Sequence, residues 1–248
     1  MVGVVLIAFV MGLIAGSFVT AVAHRVPRGI SIVGPRSVCP ACGVQIAARD
    51  NVPLFSWLLL RGRSRCCGTP ISPRYPLTEL CVGVLFALTV AVHYGDGVEI
   101  ALGLAFVIML AAITLTDLDE RVIPNKILIA GAVVGLAIII PFDPGSLGER
   151  AIAAAVAGGL LFLAALAYPG GMGLGDVKLA AVMGLYLGRS VAPAILIALL
   201  SGSLVGLYLM ARHGAKARKA AIPFGPFLAL GGVVGMLAGD AMIDFYLG

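Results

Sequence analysis

The long charge-free apolar runs constrain the fold of this chain more than any other feature. Ser190 to Ala211 carries no charged residue, over the roughly 20 residues that a membrane-spanning helix needs. Similar runs recur along the chain without the alternation that outer-membrane strands require. Only 12% of the residues are charged, whereas a soluble domain has about 25%. The sequence therefore excludes a soluble domain and predicts an all-α polytopic membrane protein.

Eight charge-poor windows predict about eight transmembrane helices. The windows are Val4–Ala23, Leu77–Tyr94, Ile100–Thr116, Lys126–Pro141, Ala151–Tyr168, Val177–Gly188, Val191–Ala211 and Ile222–Phe245. We expect a first transmembrane helix over residues 1–24 and a small cysteine-containing cytoplasmic domain over residues 25–76, between helices 1 and 2. Residues 77–248 are expected to form the transmembrane core.

The distribution of basic residues predicts the orientation of the chain in the membrane. With the amino terminus outside, every Lys and Arg except Arg150 and Arg189 falls in a cytoplasmic loop or at its edge, while the acidic residues divide evenly. This asymmetry is the positive-inside pattern of a cytoplasmic membrane protein. The net charge of +5 is therefore explained by topology and by anionic lipid, and it requires no nucleic acid partner.

Two aspartates from distant segments meet the same membrane face in this topology. Asp117 ends the third window, in TLTDLDERVIPNK, and Asp176 precedes the sixth, in GLGDVK. The apolar stretch after Lys178 gives only about 15 Å of helix, against a hydrocarbon core of about 30 Å. Either the bilayer thins there, or Asp176 and Lys178 lie below the membrane surface, where a polar side chain indicates function.

Paired aspartates are able to hydrolyse a peptide bond. Two carboxyl groups at one site hold a single proton between them, so one activates a water and the other protonates the leaving amine. Gly173 and Gly175 disfavour regular helix just before Asp176 and leave room for an extended substrate. Taken alone, GLGD is more typical of a turn with an interfacial aspartate. No HExxH zinc motif and no serine triad competes with the pair.

A polytopic transporter is the alternative, in which glycine-broken helices and intramembrane acids bind an ion or solute. A transporter of this kind predicts internal symmetry between the two halves of the chain. The basic, cysteine-containing segment has no counterpart in the carboxy-terminal half, and this asymmetry favours the enzyme.

Several motifs in order resemble the prepilin peptidases, or type IV leader peptidases, which are GxGD-type aspartic proteases. The similar stretches are GSFVTAVAHRVPRG, NVPLFSWLLLRGR, CCGTPISPRYPLTEL, TDLDERVIPNK, GLGDVKLAAVMG and IPFGPFLALGG, and together they cover nearly the whole chain. Thr20 departs from the family pattern, which has Asn at that position. The resemblance implies that Asp117, seven positions before Pro124, and Asp176 are the catalytic aspartates.

The resemblance also implies a substrate, a location and a second activity. The substrate is a prepilin or pseudopilin precursor, cut after a glycine between its short basic leader and its hydrophobic helix. The enzyme lies in the inner membrane with its active site facing the cytoplasm. Many members also methylate the new amino terminus with S-adenosylmethionine. Asp119 and Glu120 are interpreted as loop acids that meet the basic leader.

Four cysteines in the cytoplasmic domain predict a structural zinc site formed by Cys39, Cys42, Cys66 and Cys67. Cysteines that face a reducing compartment bind metal more often than they form disulfides. The family has two CxxC pairs, whereas Ser64 stands here at the third cysteine position and Cys66 lies at a variable one. The alternative is a degraded site that binds no metal.

Two further charged residues are candidates for support of the site. Glu79 matches an acid of the family and could orient Arg74 or lie near the aspartates; it could equally be an acid at a helix start. Lys178 could keep Asp176 ionised or extend to the membrane surface. With Pro124, Gly173 and Gly175, these two residues complete the predicted substrate-binding or supporting set.

Overall fold

The computed structural model describes residues 1–34, 37–168, 171–213 and 222–247. The basic residues Arg36, Lys216, Arg218 and Lys219, which the orientation prediction uses, lie outside these ranges. The long helices are α1 (Val2–Arg25), α3 (Arg74–Val92), α4 (Gly97–Glu120), α5 (Asn125–Phe142), α6 (Leu147–Ala167), α7 (Leu174–Leu187), α8 (Val191–His213) and α9 (Gly225–Leu247); α2 (Phe55–Leu59) is short. The described ranges contain isolated β-bridges but no strand. The prediction of an all-α fold is confirmed.

Seven helical stretches among the described residues are long and apolar enough to cross a membrane. One of them, Leu174–Arg212, combines α7 and α8, which a 3-10 turn at Gly188–Ser190 separates. The 14 residues of α7 extend over about 21 Å. Each of the eight predicted windows corresponds to one long helix within a few residues at its ends. The prediction of a polytopic membrane protein is confirmed.

The first compact unit, Met1–Gly95, contains α1, α2 and α3. Glycines let α1 and α3 approach closely. A Cβ atom added to Gly12 would lie 2.7 Å from Cα of Gly83, and one added to Gly16 would lie 2.7 Å from Cα of Glu79. Small residues at such crossings are typical of helices that pack within a membrane. Helices α1 and α3 therefore form a tight pair, and the cysteine-containing segment connects the end of α1 to the start of α3.

The second compact unit, Asp96–Gly248, contains α4 to α9. In this unit α6 packs against α7, α8 packs against α9, and α4 contacts both α5 and α9. Gly184 makes the contact of α7 with α6 close, because its added Cβ would lie 2.5 Å from Cα of Ala154. The two units are defined by contacts between residues and do not test the predicted domains. The predicted domain boundary between residues 76 and 77 therefore stays a prediction.

A network of ion pairs and hydrogen bonds joins the ends of several helices in the second unit. The Arg150 guanidinium is buried, pairs with Glu99 of α4 and donates to the carbonyl oxygen of Tyr186 on α7. Arg189, in the turn after α7, pairs with Asp240 of α9 at 3.1 Å. A buried guanidinium is tolerated only when its donors are paired. The network therefore fixes the ends of four helices without leaving a buried charge uncompensated.

Candidate active site

Asp117 lies in the last turn of α4, and two backbone features hold it. Arg121 ends the helix in the left-handed conformation, with φ of 54°, and its N–H donates to the carbonyl oxygen of Asp117 at 3.0 Å. The Asp117 side chain is buried, with 6% of its surface exposed. Its Oδ2 accepts a hydrogen bond of 2.8 Å from the backbone N–H of Gly225, at the start of α9. The first aspartate is therefore fixed by two helices.

Gly225 is a site residue that our sequence interpretation did not identify. A Cβ atom at this position would lie 2.7 Å from Oδ2 of Asp117, which is closer than two such atoms can approach. Pro226 follows it and has no N–H to donate, so Gly225 supplies the amide at this point of α9. The stretch PFGP, with a glycine before a helix-starting proline, is the signal that could have pointed to it.

Asp176 is the third residue of α7, and its own turn positions it. The side chain is 8% exposed, and its Oδ2 accepts a hydrogen bond of 3.1 Å from the N–H of Gly173. Gly173 caps the helix in an extended conformation. Gly175 lets the link between α4 and α5 approach, since a Cβ added there would lie 3.0 Å from Cβ of Ile123. Gly175 thus lies within α7, where regular helix was not expected, and serves the approach of one segment to another.

The fold brings Asp117 and Asp176 together although 59 positions separate them. Helices α4 and α7 are in contact, and the charge of Asp117 acts on the carboxyl group of Asp176. Each carboxyl group is buried and has one oxygen fixed by a backbone N–H. We call Asp117 and Asp176 the aspartate pair. Two buried carboxyl groups on contacting helices, close enough for the charge of one to act on the other, are suited to act as an acid–base pair.

Lys178 contacts the other predicted motif. Its Nζ donates to Oδ1 of Asn125 at 3.0 Å, and Asn125 is the first residue of α5, directly after Pro124 at the helix cap. This bond connects α7 to the segment that follows α4. Neither of the two roles considered for Lys178 is tested by this contact, which links the first turns of α7 and α5. Asn125 is a second residue that the sequence interpretation missed.

Three other acidic candidates lie in different surroundings. Asp119 is exposed and Glu120 is half-buried in the last turn of α4, beyond Asp117. Glu79 belongs to the first unit, where its Oε2 accepts a hydrogen bond of 2.7 Å from the N–H of Leu54 and where it also bonds to the hydroxyl of Ser17. These contacts anchor the cysteine-containing segment to α1 and α3. A part for Glu79 in catalysis stays a prediction.

The four predicted cysteines converge at one point of the first unit. The Sγ atoms of Cys39, Cys42, Cys66 and Cys67 all lie within 4.8 Å of one another. Cys39 and Cys67 have their sulfurs 3.7 Å apart, and Cys42 and Cys66 have theirs 3.2 Å apart. In tetrahedral zinc with bonds of about 2.3 Å, neighbouring sulfurs lie about 3.8 Å apart. The residues present therefore fit a zinc ion after small adjustments.

Two similar turns carry these cysteines, and Ser64 occupies a cysteine position in the second. Three matching pairs of backbone interactions define the repeat: Cys39 N–H to Val44 O and Ser64 N–H to Thr69 O; Gly43 N–H to Cys39 O and Gly68 N–H to Ser64 O; and the bridges Val38 with Gln45 and Arg63 with Pro70. Ser64 thus corresponds to Cys39, and Cys67 to Cys42. Cys66, at a position that corresponds to Ala41, directs its sulfur to the cluster instead.

Hydrogen bonds favour, at Cys67 and Cys39, the thiolate form that a metal requires. At Cys42 the backbone amide of Val44 is outweighed by the neighbouring Cys66 thiol, and the pKa of the Cys42 thiol is raised to about 12. The hydroxyl of Ser64, and then that of Thr69, lowers the pKa of the Cys67 thiol to about 6 from its ordinary 9.0. The backbone amide of Cys42 lowers the pKa of the Cys39 thiol. Ser64 lies 3.0 Å from the Cys67 sulfur, so the serine that replaces a cysteine still supports a neighbouring ligand.

Comparison with known proteins assigns both units. Residues 10–94 match the bacterial peptidase A24 N-terminal domain, and residues 104–210 match the type IV leader peptidase family. The similar proteins include three named prepilin leader peptidase/N-methyltransferase. That of Bacillus subtilis is 36% identical, over 97% of this chain and 97% of its own. That of Aeromonas hydrophila is 36% identical over 97% and 93%, and that of Stutzerimonas stutzeri 34% over 98% and 93%. No solved structure matches the chain.

Proposed function

The chain belongs to the type IV leader peptidase family, and from this premise we propose that it removes the leader from prepilins or pseudopilins as a membrane aspartic endopeptidase. The observation that carries the proposal is the aspartate pair: two buried carboxyl groups from distant helices, each held by a backbone N–H. The names of the relatives and the ordered motifs support the same activity. The transporter alternative has no comparable support.

The aspartate pair holds one proton in this mechanism. The ionised carboxylate accepts a proton from a water molecule, whose oxygen attacks the carbonyl carbon of the scissile peptide bond. The protonated carboxyl group donates to the nitrogen that leaves, and the C–N bond breaks. Gly225 and Gly173 keep the two carboxyl groups in position through their amides. Lys178 and Pro124 support the pair by holding the start of α5 against α7.

The substrate is a precursor with a short basic leader and a hydrophobic helix. Its cleavage site lies where the basic leader meets the apolar segment, and therefore at a membrane surface. The acids that follow the catalytic position, Asp119 and Glu120, are suited to attract the leader by charge. Gly173 places no side chain beside Oδ2 of Asp176 and leaves room there for an extended peptide. The chain acts in the inner membrane, with the aspartate pair facing the cytoplasm and the amino terminus outside.

A structural zinc ion would be held by Cys39, Cys42, Cys66 and Cys67. The convergence of the four sulfurs within 4.8 Å supports this assignment. The segment over residues 25–76 forms a cytoplasmic domain that is too small to rely on an apolar core, and a metal would hold its two turns together. Chelation of the ion is expected to loosen this segment.

Methylation of the new amino terminus is the second proposed activity. It rests on the names of the relatives, which include N-methyltransferase, and on the match of residues 10–94 to the N-terminal domain of the family. S-adenosylmethionine would supply the methyl group. We assign no described residue to this cofactor, and the mechanism of cleavage does not depend on it.

The test is cleavage of a co-expressed prepilin, followed by gel shift. Asp117→Asn and Asp176→Asn preserve the shape of each side chain and remove its acid–base function, so both are expected to abolish cleavage. Asp119→Asn, two residues from Asp117 on the exposed side of the same turn, is the matched control for catalysis: it is expected to retain cleavage and to lose only the share of substrate affinity that the Asp119 charge supplies. Cleavage by either variant of the aspartate pair would show that the assignment is wrong.

A further inference from the structure

The cysteine-containing segment has an exposed apolar surface outside every candidate span. Phe55, Leu58 and Leu59 of α2 have 64%, 57% and 72% of their surface exposed, and none lies in a helix that could cross the membrane. Their spacing of three and four residues places them on one face of the helix. We call these three residues the α2 apolar surface. Adjoining exposed apolar side chains indicate an interaction site.

The residue before α2 is anchored inside the α1 and α3 pair. The N–H of Leu54 donates to Glu79, which also bonds to Ser17. Ser17 lies eight residues before the end of α1 at Arg25, and Glu79 lies five residues after the start of α3 at Arg74. At about 1.5 Å per residue, these positions are about 12 Å and about 8 Å inside the helix ends.

This anchoring sets the depth of α2. Because α1 and α3 are candidate spans, Leu54 lies at the level of their terminal turns rather than beyond them. Its φ of 61° is rare for leucine and persists only where surrounding contacts hold the backbone. The α2 apolar surface begins at the next residue. It therefore faces the boundary region of a bilayer, the layer in which short amphipathic segments with basic flanks bind.

The charge of the segment complements an anionic lipid surface. Residues 25–76 contain eight arginines and one acidic residue, Asp50, which pairs with Arg65 at 2.9 Å. Arg61 and Arg63 follow α2 directly, and both are exposed. Basic residues next to an apolar surface attract anionic headgroups, while the apolar side chains enter the layer below.

We propose that the α2 apolar surface inserts into the headgroup region of the membrane and that Arg61 and Arg63 bind anionic phospholipid beside it. The cysteine-containing segment then lies along the bilayer surface instead of extending into the aqueous phase. This inference concerns the first unit alone. It goes beyond the proposed peptidase activity, and it would stand even if that activity were assigned wrongly.

Trp57 provides the experiment, because it is the only tryptophan of the chain and lies on α2. Its Nε1–H donates to the carbonyl oxygen of Ile71 at 3.0 Å, which fixes the ring on the opposite face of α2, about 10 Å (one helix width) from the α2 apolar surface. The full chain is reconstituted in vesicles of phosphatidylcholine and phosphatidylglycerol that carry bromine either near the headgroups or at the ends of the acyl chains. We expect tryptophan fluorescence to be quenched by shallow bromine, weakly by deep bromine and weakly by acrylamide.

Two variants separate insertion from proximity. Leu58→Glu combined with Leu59→Glu is expected to lose the shallow quenching and gain quenching by acrylamide. Val33→Glu, which adds charge at a fully exposed apolar position of the same segment, is the control and is expected to change neither. In vesicles without phosphatidylglycerol, quenching by shallow bromine should be weaker. Equal quenching in both kinds of vesicle would show that Arg61 and Arg63 do not bind anionic phospholipid.

Three results with the unaltered protein would overturn the proposal. Strong acrylamide quenching without bromine quenching would mean that α2 is in water. Quenching strongest with deep bromine would place α2 in the hydrocarbon core. Protection from both quenchers would mean that protein, either the second unit or another chain, covers the α2 apolar surface. The unaltered chain carries this test, so it does not depend on whether the double variant folds.

Discussion

Replacement of Gly225 by alanine should inactivate the enzyme through Asp117. The added Cβ would lie 2.7 Å from Oδ2 of Asp117, whereas the present contact is a hydrogen bond of 2.8 Å from the Gly225 amide. The carboxyl group must therefore move by several tenths of an ångström and weaken that bond. A hydrogen bond to a charged group contributes about 1.5–3 kcal/mol, and a misplacement of about 1 Å can lower a rate about 100-fold.

We expect Gly225→Ala to lower kcat for prepilin cleavage by about 10- to 100-fold, as the weakened hydrogen bond of about 1.5–3 kcal/mol implies, and to change KM little. The change moves Asp117, the proposed catalytic group, and alters no residue of the proposed substrate-binding set, so the loss should fall on the transition state. The assay is cleavage of a purified prepilin by the enzyme in detergent or vesicles, with rates measured over a range of substrate concentrations.

Gly206→Ala is the matched control, because a Cβ atom there meets nothing within 4 Å. It should leave the rate unchanged. Since Pro226 also disfavours helical conformation for a side-chain-bearing residue before it, thermal denaturation of the Gly225→Ala protein is measured in parallel. A Gly225→Ala enzyme that cleaves at the wild-type rate would refute the assignment of this amide to Asp117.

Three further predictions concern the supporting contacts. Lys178→Ala should lower kcat by less than Asp176→Asn does, because it breaks one exposed hydrogen bond to Asn125. Lys178→Arg should retain most of the wild-type rate. Equal activity of the wild type, Lys178→Ala and Lys178→Arg would contradict the role of the link. Because the pKa of the Cys67 thiol is lowered to about 6 from its ordinary 9.0, Cys67 in the metal-free protein should react with iodoacetamide at neutral pH and more slowly as the pH falls through about 6; a reaction rate that rises only near pH 9 would contradict the lowered pKa. Arg150→Ala should lower the thermal stability of the protein, because it leaves the carbonyl oxygen of Tyr186 without its donor and Glu99 without its partner. The expected cost is about 1–3 kcal/mol, and an unchanged Tm would show that the network contributes little.

The sequence alone was sufficient for the class of fold and for the family. Hydropathy determines membrane spans directly, because a helix in lipid needs about 20 apolar residues whatever its neighbours are. For this reason the windows at Val4–Ala23 and Lys126–Pro141 correspond to α1 and α5 of the structure. The motifs around Asp117 and Asp176 indicated a peptidase, and the family assignment is confirmed by the comparisons. The catalytic role of the two residues stays a prediction.

Contacts between distant segments could not be predicted from the sequence. The amide that holds Asp117 comes from a residue 108 positions away, and no local pattern states which backbone N–H will face a given carboxylate. Lys178 was compared only with Asp176, its neighbour in sequence, whereas the fold brings it to Asn125. Glu79 bonds to Leu54, whose position depends on the path of the whole cysteine-containing segment.

The cysteine cluster shows the same division within one site. Counting residues identified Cys39, Cys42, Cys66 and Cys67 as ligand candidates and identified Ser64 as the departure from the family pattern. Whether adjacent cysteines can direct their sulfurs to one point depends on the turn between Ser64 and Thr69, and the structure brings the four sulfurs within 4.8 Å. Residue types and spacing determine which chemistry is possible here. Only the tertiary structure decides which atoms meet, because packing sets distances that no sequence separation encodes.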